Sequence, residues 1–271
     1  MRVRFSRGVI TIAIIVVVLA VGVSFGLYHL LKRATPLAVP EAYCTVRGPE
    51  GTLDLSPHQA QISATIAAVA ARRKLPERAV VIAYATAIQE SKLANINYGD
   101  RDSVGVFQQR PSQGWGTRKQ LMDPVYATNK FFAALVKVKN YRKLPLAEAA
   151  QAVQRSAGGY AYAPHETDGK ILAAGFTGRV PQAVHCWYPP DKTPVPQPKA
   201  DQARKQLAKA LGSTAITTKK RGWLVAAWSV AHAEKYALNR VGYGGATWVN
   251  NVELEGWQTG GKSGTTEVDL S

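Results

Sequence analysis

The stretch from Gly8 to Leu31, GVITIAIIVVVLAVGVSFGLYHLL, is 24 residues without a formally charged side chain, and it limits what this chain can be more than any other segment. As a helix it would extend ~36 Å at about 1.5 Å per residue, enough to cross a bilayer. A cleaved signal peptide has a shorter apolar region, roughly 7–15 residues, closed soon afterwards by a small-x-small site. Neither feature fits, so the expectation is an uncleaved transmembrane signal anchor over residues 8–31. Arg2, Arg4 and Arg7 precede it and Lys32 and Arg33 follow, a slight bias toward a cytoplasmic N-terminus at residues 1–7 with the bulk of the chain extracytoplasmic. His29 is the one Asp, Glu, Lys, Arg or His in the span, and it lies near the end, which argues against a transporter or channel.

An exported chain meets an oxidising environment. Cys44 and Cys186, the two cysteines present, are then most simply a disulfide, the alternative being two separate buried thiols. They bracket one continuous pattern. With no CxxC and no clustered His or Cys, neither a metal site nor a cofactor is expected.

Charge narrows the partners. The net charge of +16 includes five basic residues in the first 33, which leaves +11 on the remainder. Such an excess favours anionic surfaces, whether nucleic acid, phospholipid headgroups or acidic wall polymers. There is no dense Lys/Arg run and no Arg-aromatic interleaving, so nucleic acid is not expected as a partner.

Residues 32–43 (KRATPLAVPEAY) suggest a stalk, and PPDKTPVPQP opens a stiff Pro-rich linker at 189–199. Between them, 44–188 predicts a mainly α domain. Asp54 or Ser56 can cap a helix carrying Ile62, Ile66 and Val69 on one stripe. LPERAVVIAYATAIQES begins with Pro76 in its first turn and is apolar nearly all round from Ala79 to Ile88, as a central buried helix would be. MDPVYATNKFFAALVKV offers a capping Asp123 before Pro124, and LPLAEAAQAVQRSA gives a further helix. No segment alternates with period 2. Beyond the linker, 200–258 predicts a small α/β domain. It comprises the helix ADQARKQLAKALG, the helix GWLVAAWSVAHAEKYAL with Trp223 and Trp228 in its core, and a hairpin turning at Gly244-Gly245. It holds no catalytic constellation, and its expected role is either to place the rest of the chain or to recruit a partner, such as a cell-wall protein. Residues 259–271 are expected to be disordered.

The chemistry concentrates in AIQESKLANINYGDRDSVGVFQQRPSQGWG, residues 87–116. Glu90 closes an apolar helix, so its carboxyl is incompletely hydrated, which favours the protonated form. Glycosidic cleavage needs such an acid to protonate the leaving oxygen. Ser91 can donate to that carboxyl or to a sugar. Asp100 and Asp102 can act as a second carboxylate that holds water, or can form Asx turns about Gly99 or pair with Arg101. Gly105 permits close backbone approach. Gln108 and Gln109 suit hydroxyl and acetamido groups, and Trp115 offers a flat face for a sugar ring or a core side chain.

The motifs Glu90-Ser91, Gly105–Gln108 (GVFQ) and DPVYATNKFFAAL at 123–135 together resemble the lytic transglycosylase and goose-type lysozyme superfamily. The resemblance covers roughly residues 56–165 and is closest to exported, membrane-anchored wall proteins of actinobacteria. It implies a lysozyme-like fold, Glu90 as general acid and then base, Gln108 lining the cleft, and the glycan strand of peptidoglycan as substrate. The family's Tyr-Asn pair falls at Val153 and Gln154. Gln154 can replace the amide and Val153 cannot replace the phenol, which Tyr160 or Tyr162 can supply from a neighbouring position. The expected function is therefore a peptidoglycan lytic transglycosylase or muramidase. The alternative is a non-catalytic peptidoglycan-binding or scaffold protein on the same fold.

Overall fold

The computed structural model describes residues 7–33, 41–155, 159–189, 196–254, 256–261 and 263–271. Residues 1–6 of the expected cytoplasmic segment 1–7, and most of the stalk and of the Pro-rich linker, lie outside these. The chain forms two units, which meet at residue 40 in sequence.

The first contains one helix, α1 (Arg7–Arg33), whose apolar window Thr11–His29 has a mean hydropathy of 2.5. Its described side chains are exposed on every face, Ile12, Leu19 and Phe25 among them. In water that surface would have no partner; it is long and apolar enough to cross a membrane.

The second unit, from Glu41 onward, is mainly helical. Its centre is α3 (Glu77–Ser91), in which every residue from Ala79 to Ala87 is buried, as the unbroken apolar run requires. Around it pack α2 (Pro57–Arg72), α5 (Pro124–Leu135), α6 (Leu146–Gln154), α7 (Glu166–Phe176) and a 3-10 helix at Gly159–His165. A short α4 (Arg118–Leu121) precedes α5. Helix starts follow local chemistry. Ser56 and Gln59 form a reciprocal capping box on α2, and Asp123 caps α5 ahead of Pro124. The Tyr84 hydroxyl donates to the Ser63 carbonyl over 2.8 Å and fixes α3 against α2. On the other side α7 crosses α3 at Gly169, where a Cβ would stand 2.9 Å from the Val81 carbonyl oxygen.

A three-stranded antiparallel sheet, not expected from the sequence, lies beside these helices. Its order is β2 (Gly51–Leu55), β1 (Tyr43–Gly48), β3 (Val184–Trp187). All four residues of β3 are buried, so the alternation that announces a half-buried strand is absent. Cys44 and Cys186 are register partners on β1 and β3 and are joined in a disulfide, with Cα atoms 4.0 Å apart.

The expected second domain shares this core. Helices α8 (Ala200–Leu211) and α9 (Lys219–Ala231) pack on α2, and α9 also contacts α7 and β3. The second predicted helix breaks at His232, beyond which α10 (Ala233–Tyr236) adds one turn. The indoles of Trp248 and Trp257 donate to the carbonyls of Cys186 (3.0 Å) and Val184 (2.8 Å). Asn250 pairs with both backbone groups of Tyr188. These bonds satisfy the outer edge of β3 and bring residues 196–254 into the same compact unit as 41–189. The hairpin turns where expected, β4 (Arg240–Tyr243) and β5 (Ala246–Val249) flanking Gly244-Gly245, both at positive φ. With β6 (Gln258–Thr259) and β7 (Asp269–Leu270) they form a second sheet in the order β6-β5-β4-β7. The tail therefore departs from the expected disorder: β7 pairs with β4, and the Ser271 carbonyl accepts from the amides of Asn239 and Arg240.

Candidate active site

Helix α3 ends where its carboxylate stands. Lys92 and Leu93 take left-handed conformations (φ 54° and 59°), and the Lys92 amide closes on Ile88. That stop turns the chain out of the core and leaves Glu90 half-buried at the edge of a groove of about 560 Å3. His58, Gln59, Gln89, Lys92 and Tyr98 line the same groove. One oxygen of Glu90, Oε1, accepts from the Tyr162 hydroxyl over 2.7 Å. Tyr162 is buried on the 3-10 helix, so a phenol does reach the carboxylate, from a position nine residues after Val153. Val153 itself is a core residue on α6.

The amides and hydroxyl expected to meet substrate are engaged with the backbone. Ser91 is buried; its hydroxyl faces the carbonyls of Val106 (2.8 Å) and Ala87 (3.1 Å) and accepts from the Ala94 amide. It joins the end of α3 to residues 104–109 rather than pointing at a sugar. That segment is a tight loop closed by the Val104–Gln109 bridge and by the Gly105 amide on Ile96. Gly105 sits at φ 79°, and a Cβ there would stand 2.5 Å from the Leu121 carbonyl oxygen, so the expected close approach is to protein. Gln108 donates to the Gly105 carbonyl (3.1 Å) and packs on Gly99. Gln109 is buried and donates to Ala127 on α5. Gln154 donates to the Phe107 carbonyl over 2.8 Å. Phe107 in turn stacks on Phe131, ring centroids 4.4 Å apart. Ser91, Gln109 and Gln154 thus form a scaffold beneath Glu90.

The two aspartates divide. Asp102 carries Arg110 on one oxygen (2.7 Å) and the Ser112 amide on the other (2.7 Å), and the Ser112 hydroxyl also donates to it (2.9 Å). The hydrogen bond from Arg110, followed by that from the Ser112 backbone, holds its carboxyl far below the ordinary range. Asp102 thus pairs with Arg110, and the expected pairing with Arg101 is made by Asp100. Asp100 is exposed on a turn whose carbonyl accepts from the Ser103 amide, with Arg101 3.9 Å away. Among the described residues lining the Glu90 groove there is no other carboxylate.

Trp115 packs partly buried against the core, and its carbonyl accepts from the Tyr126 hydroxyl. The exposed aromatic face at the groove belongs to Tyr98 instead. Tyr160 is also exposed, on a separate groove bounded by Arg78 and Glu166. His58 was not singled out by the sequence. Its Nε2 accepts from the Asn95 amide (3.2 Å), which requires an unprotonated nitrogen there. Burial, then Lys235, lowers its pKa in keeping with that bond. The signal that places it is the capping box at Ser56 and Gln59, which fixes the first turn of α2 beside the end of α3. Gln59 Nε2 completes the join by donating to the Lys92 carbonyl over 2.9 Å.

A group of three or more His, Cys, Asp or Glu able to hold a metal is absent among the described residues. No protein-family model matches the chain, and no curated protein matches it either.

Proposed function

We propose that this protein is a membrane-anchored, extracytoplasmic enzyme that cleaves the glycan strand of peptidoglycan, with Glu90 as general acid and then general base. The observation that carries the proposal is the 2.7 Å hydrogen bond from Tyr162 to Glu90 at the rim of an open groove. With Oε1 accepting from the phenol, Oε2 is left to carry the proton toward the glycosidic oxygen. Transfer of that proton breaks the C1–O bond and releases the glucosamine 4-hydroxyl. The Glu90 carboxylate then takes the proton from the muramyl 6-hydroxyl as its oxygen bonds to C1, closing an anhydro ring and restoring the acid. Intramolecular attack is favoured over hydrolysis because Asp102 is fully engaged by Arg110 and Ser112, and Asp100 faces solvent. A central buried helix ending on the acid, braced by residues 104–109 and by α5 and α6, supports a lysozyme-like arrangement. The +11 excess suits an anionic wall, and α1 supplies the anchor.

Incubating the full chain in detergent micelles with purified peptidoglycan tests this. Wild type should release muropeptides with anhydro ends, detected by mass spectrometry, and Glu90→Gln should release none. Equal release from the two, including none from either, overturns the proposal. Equal retention on the polymer without release would favour a wall-binding scaffold.

A further inference from the structure

The turn that follows α5 is basic and carries an exposed apolar side chain. Lys137, Lys139, Arg142 and Lys143 lie within seven residues of one another, and Lys130 adds a fifth cation on α5. No acidic residue occurs between Pro124 and Ala147, so this stretch holds +5 of the net +11. Among the described residues none of the five forms an ion pair, whereas Arg78, Arg110, Arg179, Arg204 and Lys209 all do. The turn is a fixed frame. The amides of Lys137, Val138, Tyr141 and Lys143 bond to the carbonyls of Ala134, Leu135, Val138 and Asn140, and Asn140 takes a left-handed conformation (φ 59°). Leu135 and Tyr141 are buried, which leaves the four cations of the turn exposed around them. Val136 is 43% exposed beside Lys137. Two residues past Lys143, Pro145 lines a groove of about 640 Å3 that also carries Tyr160, 91% exposed. Outside α1, the other exposed large apolar or aromatic side chains among the described residues are Tyr98 and Val252, so two of the four flank these cations. The acids at that groove are Glu148 and Glu166, the latter paired with Arg78 and Lys170.

We infer that this turn docks on anionic phospholipid headgroups, with its cations at the phosphates and Val136 and Tyr160 in the interfacial layer. Lysine and arginine near a negatively charged bilayer are attracted to it, and an exposed aliphatic side chain or phenol gains by leaving water at the same boundary. A dissolved polyanion would use the charge and leave Val136 and Tyr160 hydrated, whereas a bilayer surface takes both. Charge alone does not mark the place: Lys219, Lys220 and Arg221 open α9 as a second basic cluster, and among the described residues no large apolar side chain is exposed there. Lipid is also the anionic surface that the chain itself brings near. Because α1 is long and apolar enough to cross a membrane, it holds the second unit at a high effective concentration relative to the headgroups. Docking would limit how far the tethered unit ranges from the bilayer. The inference rests on α1 spanning a membrane and is independent of cleavage at Glu90.

The test uses the full chain with Val136→Cys labelled by bimane after the native disulfide has formed, reconstituted in vesicles that contain acyl-brominated lipid as quencher. The label should be quenched when phosphatidylglycerol is present, much less in phosphatidylcholine alone, and released by high salt. Lys137→Gln with Lys139→Gln should weaken the docking equilibrium roughly 30-fold, while Lys219→Gln with Lys220→Gln should leave it unchanged. No quenching with phosphatidylglycerol, equal quenching in the two lipids, or equal loss from the two lysine pairs overturns the inference. Protection of the label by purified cell wall with its anionic polymers, without quenching by lipid, assigns the turn to the wall and overturns it as well. The lipid and salt arms use one protein labelled at an exposed site, so they do not depend on the lysine variants folding. Flotation with phosphatidylcholine vesicles separates anchoring from docking. A chain that does not float loses its anchor and the inference with it, whereas a floating chain with an unquenched label overturns docking alone.

Discussion

The hydroxyl of Tyr162 donates to Oε1 of Glu90 across 2.7 Å, joining the 3-10 helix at Gly159–His165 to the last turn of α3. The ring is buried, so Tyr162→Phe removes the donor and leaves the packing in place. A hydrogen bond to a charged group contributes about 1.5–3 kcal/mol, or roughly a 10- to 100-fold change in rate. Tyr162→Phe should lower kcat for muropeptide release by about that factor with KM nearly unchanged. Glu90→Gln should abolish release. A change confined to KM would place Tyr162 in binding instead.

Asp102 gives a pH-dependent contribution to stability. Its folded-state pKa is depressed by Arg110 and Ser112, so the stabilisation is complete above the unfolded carboxylate value of about 3.9 and is lost as pH falls toward the folded value. Asp102→Asn should therefore lower the Tm at pH 7, and the difference from wild type should narrow below about pH 4. Thermal unfolding followed by near-ultraviolet circular dichroism at the two pH values checks this. A Tm difference that widened in acid would contradict it.

Gly169 lets α7 approach α3. Alanine there gains about 1 kcal/mol of helix propensity. Its Cβ, however, would meet the Val81 carbonyl oxygen at 2.9 Å and the Val81 Cγ1 at 3.3 Å, and a backbone atom inside the central helix cannot yield cheaply. Overpacking of this kind costs about 1–3 kcal/mol, so the net effect of Gly169→Ala should be destabilising. A urea midpoint equal to or above wild type would show that the two helices can separate without penalty.

The disulfide closes a loop of 142 residues in sequence separation. In the chain-entropy model a loop of that size contributes on the order of 4–5 kcal/mol. Cys44→Ser with Cys186→Ser should lower the urea midpoint by a corresponding amount, and reduction of the wild type should reproduce it. If reduced and oxidised protein unfold together, the bond contributes nothing at equilibrium.

The helices were legible in the sequence because their signals are local. Ser56, Asp123-Pro124 and Gly212 mark ends through their own backbone chemistry, and the run from Ala79 to Ala87 reports burial on every face. Residues 43–48, 51–55 and 184–187 were not legible as strands. Each is four to six residues long; β1 and β2 pair locally across Pro49-Glu50, but β3 joins β1 from about 140 residues away, which no local pattern records. The division at 189–199 was expected from proline content alone. The groups that remove it, Trp248, Asn250 and Trp257, act through side-chain bonds to the β3 edge. At the site, Glu90 was identifiable from its place at the end of an apolar helix, and Tyr162 was one of two candidate phenols. The roles of Ser91, Gln109 and Gln154 were assigned outward because an amide or hydroxyl near an acid suits a sugar and a backbone carbonyl equally well. Only the folded chain shows which partner is within reach.

Cys44 is the second residue of β1, which follows the membrane-length helix in the chain. Tension arriving from the N-terminal side at Tyr43 therefore meets a covalent cross-link one residue later. It is passed directly to β3 and from there, through the Trp248 and Trp257 bonds, toward the second sheet. Without that link β1 could peel from its neighbour one hydrogen bond at a time. With it, a pull on the N-terminal side of β1 is shared at once by strands whose sequence positions lie about 140 residues apart.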